Sequence, residues 1–218
     1  MSKTSSMSRE YICEELVEIA QRFTRKNWLP ATSGNLSIRC SEKDEPLVFG
    51  VTASGKDKER LTVHDIVFVD GACQPVETTE LRPSAETMIH AKIYEATGCG
   101  SVLHVHTVPN NVLSELFFEQ GHVFLKDLEL IKGLDIWEEG AGIQVPIIEN
   151  YADIPKLANA IQERLDPRIP GVLIRKHGIC AWGKNPFEAR RHVEAFEFMF
   201  SYYVTYLSCK SEFANASL

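Results

Sequence analysis

Several things are missing from this 218-residue chain. Its six cysteines, at 13, 40, 73, 99, 180 and 209, include no C-x-x-C pair. They also lack the density of a small disulfide scaffold, so reduced thiols in a cytoplasmic protein are the simplest account. Basic residues are outnumbered: 23 Lys and Arg against 30 Asp and Glu give a net charge of -7. That excludes a general binder of nucleic acid or of an anionic membrane, which would carry a basic stripe. It leaves room for a phosphorylated small molecule, since a local cluster of donors can hold one phosphate. No apolar run approaches the roughly 18–20 residues of a membrane span. No apolar signal core follows the Ser-rich start. Repeats, low-complexity segments and dividing linkers are also missing.

What is present suits one large domain. Hydrophobic residues are 44% and charged residues 24%, enough to bury a full core. The expected layout is a disordered lead over 1–7, a single domain over 8–209 and a loose tail over 210–218. Ile12, Leu16, Ile19 and Phe23 recur at helical spacing behind Ser8, a capping residue, and Trp28-Leu29-Pro30 ends that helix. Strands are expected near 35–39, 47–52, 66–69, 101–106, 143–148, 172–177 and 179–182, with helices near 83–96, 109–118, 153–165 and 186–208. The order gives one mostly antiparallel sheet with helices on its faces.

The chemistry centres on Ser101-Val102-Leu103-His104-Val105-His106-Thr107. Side chains two apart on a strand share a face, so His104 and His106 are placed to hold one metal ion together. His177, directly after the apolar run Val172-Leu173-Ile174, supplies a third imidazole. Three histidines leave a position open, the mark of a catalytic rather than a closed structural site. The spacing alone does not choose zinc over other divalent ions. Core or turn histidines without metal are the plainer alternative.

Two turns offer small donors. Ala31-Thr32-Ser33-Gly34-Asn35 leads into a strand and can form an anion-binding nest, though an ordinary tight turn is the plainer account of this stretch alone. Ala53-Ser54-Gly55-Lys56 follows another strand, without the spacing of a P-loop. Two acids draw notice. Glu129 sits in an apolar stretch, where burial would raise its pKa as a general base needs, though a solvated glutamate on an amphipathic face fits equally. Glu86, in Pro83-Ser84-Ala85-Glu86, opens a helix, and capping and the helix dipole explain an acid there.

Taken together, S-G-N-L-S at 33–37, S-G at 54–55, P-S-A-E at 83–86, H-V-H-T at 104–107 and R-K-H-G at 175–178 resemble the class II, zinc-dependent aldolase/adducin family. The pieces lie in family order over nearly the whole chain. The resemblance implies an α/β fold of three layers, α/β/α, with a mostly antiparallel central sheet flanked by helices. It implies one Zn(2+) per subunit on His104, His106 and His177. It makes Gly34, Asn35, Ser54, Gly55 and Ser84 candidates for binding a substrate phosphate, with Lys56 and Lys58 as further additions. The stretches E-L-I-K-G at 129–133, V-P-I-I-E-N at 145–150 and R-K-H-G-I-C-A-W-G at 175–183 resemble a dehydratase branch acting on a phosphorylated ketose. There Glu129 is the implied acid/base. Some animal members carry cysteine where this chain has Glu86, leaving its role open between metal ligand, second acid and cap. A homotetramer with sites at subunit boundaries is also implied. The rivals are a sugar-phosphate aldolase, a pentulose-phosphate 4-epimerase and a non-catalytic adducin-head-like binding module.

Overall fold

Ser8 caps the first helix, its side chain accepting from the Tyr11 backbone N–H at 3.2 Å, and α1 runs Arg9–Arg25. The computed structural model describes residues 8–216, with side chains through residue 211, so the expected lead over 1–7 lies outside the described residues. The chain continues through β1 (Asn35–Arg39), β2 (Val48–Thr52), β3 (Ile66–Asp70), α2 (Thr87–Thr97), β4 (Ser101–Val105) and α3 (Val108–Leu116). Then come β5 (His122–Lys126), β6 (Gly142–Ile148), α4 (Ile154–Glu163), β7 (Gly171–Ile174), β8 (Gly178–Gly183) and α5 (Pro186–Ala216).

The strands form one eight-stranded sheet in the order β3-β2-β1-β4-β8-β7-β6-β5. Every neighbouring pair is antiparallel except β6 with β7. Alternation along the strands feeds two cores. On one face Leu103 and Val105 of β4 pack with Ile12, Leu16 and Phe23 of α1 and Phe196 and Phe200 of α5. On the other, Val102 and Val172 pack with Ile89 and Ile93 of α2 and Leu157 and Ile161 of α4. This is the expected three-layer arrangement, with β4 at its centre.

One boundary is corrected. The last helix was expected to stop near Ser208 ahead of a loose tail, yet α5 continues through Ala216. Residues 208–216 contain neither Gly nor Pro, so nothing in the backbone stops the helix where the apolar pattern fades.

Candidate functional site

Strand register brings the first residues together. β4 lies between β1 and β8, so His104 stands opposite Asn35 on one side and Cys180 on the other. His104 is fully buried and shares the Val102 face, toward α2. His106 lies one residue beyond β4, so the strand expectation holds for only one of the pair. Its backbone N–H donates to the Trp28 carbonyl at 2.9 Å. His177 sits in the turn from β7 to β8, beside Lys176 at φ 52°. A Cβ on Gly178 would collide with the Val105 carbonyl and lie 2.9 Å from His104 Cε1 and 3.0 Å from His106 Cδ2. Only glycine lets this turn approach so closely.

The three imidazoles converge. His104 Nε2 lies 2.9 Å from His106 Nε2 and 3.4 Å from His177 Nε2. Glu86 completes the group: Oε1 is 2.9 Å from His177 Nε2 and Oε2 is 3.5 Å from His104 Nε2. The capping explanation for Glu86 is therefore corrected. It holds the N-cap position of α2, but its side chain makes no capping bond and turns into the histidines instead. Asn35, 2% exposed, fixes it by donating from Nδ2 to Glu86 Oε2 at 2.7 Å.

The donor set fits a divalent cation. The ligand atoms of Glu86, His104, His106 and His177 all lie within 4.8 Å of one another. The His104 Nδ1 faces the Ile179 carbonyl at 2.9 Å and the His177 Nδ1 faces Asn150 Oδ1 at 3.2 Å. Those acceptors require N–H at Nδ1, leaving the Nε2 lone pairs to point at one another, an arrangement a cation satisfies. Burial pushes the His104 imidazole down, and pushes His106 down to about 3 with its two neighbours adding to the effect. Both shifts favour the neutral imidazole that a ligand must present. Burial alone would raise the Glu86 carboxyl, but His104, His177 and Asn35 hold it well below the usual carboxylate range. A second group, Asp135, Glu188 and His192, also clusters. There Arg191 Nη2 lies 2.5 Å from Asp135 and 3.5 Å from Glu188, so the acids already have their cation.

The turns expected to hold phosphate come together. The Ser54 N–H donates to the Arg82 carbonyl at 2.9 Å, and Ala53 bridges to Pro83, placing 54–55 beside 82–84. Lys58, 2% exposed, reaches the carbonyls of Thr32 (3.4 Å) and Lys56 (3.1 Å), linking the first two turns. Lys56 itself pairs with Asp65 at 2.8 Å. Gly55, at φ +70°, has open space where a Cβ would stand, whereas a Cβ on Gly34 would meet the His104 carbonyl at 2.7 Å. Asn35 gives one amide hydrogen to Glu86. Ser84 Oγ accepts from the Glu86 N–H at 3.3 Å.

Glu129 stands apart. It begins a 3-10 turn over Glu129–Leu134 after β5. Its side chain is 76% exposed and pairs with Lys132 Nζ at 2.8 Å, so of the two readings the solvated glutamate is the observed one. Ile131 and Leu134 take the inward positions of that turn, and Glu129 does not.

The fold and the cluster invite comparison with known proteins. The family model "Class II Aldolase and Adducin N-terminal domain" matches residues 14–204. This chain belongs to that family. Among curated relatives, the methylthioribulose-1-phosphate dehydratase of Persephonella marina is 51% identical over 201 residues, 91% of this chain and 93% of that one. The protein of the same name from Bacillus cytotoxicus is 50% identical over 193 residues, 88% of this chain and 89% of that one. Among solved structures, an L-fuculose 1-phosphate aldolase superposes with a TM-score of 0.74 at 23% identity, covering 93% of this chain and 89% of its own. The L-fuculose-1-phosphate aldolase of Thermus thermophilus gives 0.70 at 22% identity, covering 94% and 99%. The class II aldolase fold, read from strand order and motif order, is thus the observed one. Three polar residues near the histidines carried no sequence signal of their own: Asn111, Asn150 and Glu197. Asn150 closes the V-P-I-I-E-N stretch but gives no hint there that it would meet His177.

Proposed function

We propose that this chain is a hydro-lyase that removes water from 5-methylthio-D-ribulose 1-phosphate to give 2,3-diketo-5-methylthiopentyl 1-phosphate, a step of methionine salvage. The observation that carries this reading is its half-identity, over nine-tenths of its length, to a relative named methylthioribulose-1-phosphate dehydratase. The aldolase likenesses are under 25% identical and speak to the fold.

His104, His106 and His177, with Glu86 beside them, would hold one zinc ion per chain. The ion's contribution when bound is Lewis-acid stabilisation of charge developing on the substrate's C2 oxygen. The open turns at Gly34, Ser54, Gly55 and Ser84 would hold the phosphate and so fix C3 and C4 against the cluster. Asn35 would act there through Glu86 rather than by direct contact. Glu129 would take the C3 proton and return one to the departing C4 hydroxyl. Its exposure supports a site completed at a boundary between subunits of a homotetramer. Val108, Val112 and Leu116, spaced four apart on α3 just after His106, are 75%, 42% and 59% exposed and offer an apolar face for such a contact. Among the described residues no helix is long and apolar enough to cross a membrane, which supports the cytoplasmic reading.

The test is incubation of purified, zinc-loaded protein with methylthioribulose 1-phosphate. An ultraviolet-absorbing diketone or its enol is expected. Release of a free aldehyde instead would make the chain an aldolase, and equal turnover of the unphosphorylated ketose would remove the phosphate role. Size measurement of the same sample checks the tetramer.

A further inference from the structure

Beside the histidines the chain buries a polar network that the proposed chemistry does not use. Glu197 of α5 is 2% exposed. Both its oxygens are filled: Thr107 Oγ1 donates to one at 2.7 Å and Asn110 Nδ2 to the other at 2.8 Å. Thr107 and Asn110 also cap α3 reciprocally, each side chain accepting from the other's backbone N–H at 3.2 Å. The next residue, Asn111, spends one side-chain amide on two separate parts of the site. It donates to the Thr107 carbonyl at 3.0 Å and to the His177 carbonyl at 2.8 Å, with Asn110 Oδ1 also at 3.0 Å.

This arrangement is costly as mere packing. Burial pushes the Glu197 carboxyl up to about 7 despite its two donors. Apolar side chains would join α3 to α5 without that penalty. What the network supplies is a fixed position. Residue 107 follows His106 directly, and the His177 turn has an exposed lysine at 176. That turn is tied to α3 by polar bonds: Asn111 to His177 O, and the Lys176 N–H to Ser114 Oγ at 3.0 Å. A fully connected buried network of this kind enforces one geometry.

We propose that Asn111 is a positioning residue of the metal centre, its amide setting the separation of the segments that carry His106 and His177, with Glu197 anchoring it from α5. This rests on the metal reading above. The His177 carbonyl takes its donor from the Asn111 amide, and the Thr107 carbonyl takes the same amide beside the Asn111 backbone N–H. Aspartate, with the same shape, has no side-chain donor and would face two carbonyl oxygens instead.

The test uses the full-length protein and the metal alone. Zinc affinity is measured by competition with a chromophoric chelator, the visible bands are recorded with cobalt in place of zinc, and the metal-free protein is unfolded in urea. Asn111→Asp should weaken zinc by about 10–100-fold, the usual loss for a partner that orients ligands. It should also shift the cobalt bands, with a urea midpoint close to wild type. Glu197→Gln removes one acceptor and sets an NH2 against a donor. It should weaken zinc to a smaller extent, and it serves as the test if Asn111→Asp does not fold. A folded Asn111→Asp protein with wild-type zinc affinity and unshifted cobalt bands overturns the inference. So does the same result from Glu197→Gln where it is the only folded variant. Wild-type protein that binds no zinc would instead overturn the metal reading, and this inference with it.

Discussion

Glu86 and Glu129 are the two acids the sequence offers for catalysis, and the fold treats them in opposite ways. Glu86 is 17% exposed, locked between two histidines and an asparagine. Glu129 is 76% exposed, with Lys132 as its partner among the described residues. The first is held by three distant parts of the chain, the second by a residue three positions on. A carboxylate fixed among buried partners belongs to a preorganised centre. One free on the surface acts in chemistry only where another surface is brought to it. The proposed site thus has one enclosed part, around Glu86, and one exposed part, around Glu129.

The most severe break of the enclosed half is His104→Ala or His177→Ala. Lewis-acid help worth several kcal/mol corresponds to a loss of about 10³-fold or more in activity. Bound metal should fall in parallel while the far-ultraviolet spectrum stays native, because the two apolar cores keep all their own side chains. Full activity in stringently metal-free protein would sink this expectation.

The two glutamates themselves come next. Glu129→Gln should keep zinc and lose activity by about 10²–10⁴-fold, the usual contribution of a general acid or base. Glu86→Gln should act differently, lowering metal affinity first because the variant loses the charge facing His104 and His177. Solvent-deuterium exchange at C3, measured beside zinc content, separates them. If the Glu129 variant still exchanges at the wild-type rate and the Glu86 variant does not, the roles are reversed.

Gly178→Ala attacks the approach of the two histidine segments. Overpacking of a close contact typically costs about 1–3 kcal/mol. Here the new Cβ meets the Val105 carbonyl and both neighbouring imidazoles. Urea unfolding should report that loss together with weaker zinc binding. A variant as stable and as tightly loaded as wild type would mean that the turn has slack.

The smallest effect is expected at the exposed half. Lys132→Ala removes the ion pair that Glu129 makes among the described residues, between side chains 43% and 76% exposed. Stability should move by no more than about 0.5 kcal/mol, since pairs in water contribute little. A larger change would show that this surface is covered in the native assembly, which is the sharper version of the same comparison.

Much of this was legible in the residues. The helix behind Ser8, the order of elements along the chain and the three histidines as candidate metal ligands follow from periodicity, capping and spacing, all local properties of the chain. Glu86 was legible as an acid at a helix start but not as a neighbour of His104. That contact depends on α2 packing against the sheet face to which Val102 and His104 point. Asn35 looked like a donor in an anion-binding turn, and register with β4 turned its amide to Glu86 instead.

Glu129 misled because apolar neighbours in sequence are not neighbours in space: in a 3-10 turn Ile131 and Leu134 go inward and the acid goes out. By itself, then, the sequence determined the elements, their order and the chemical type of the site. Only the tertiary structure decided which acid meets the histidines and which polar side chains hold them. Those contacts join residues far apart in the chain, and local propensity carries no record of such distances.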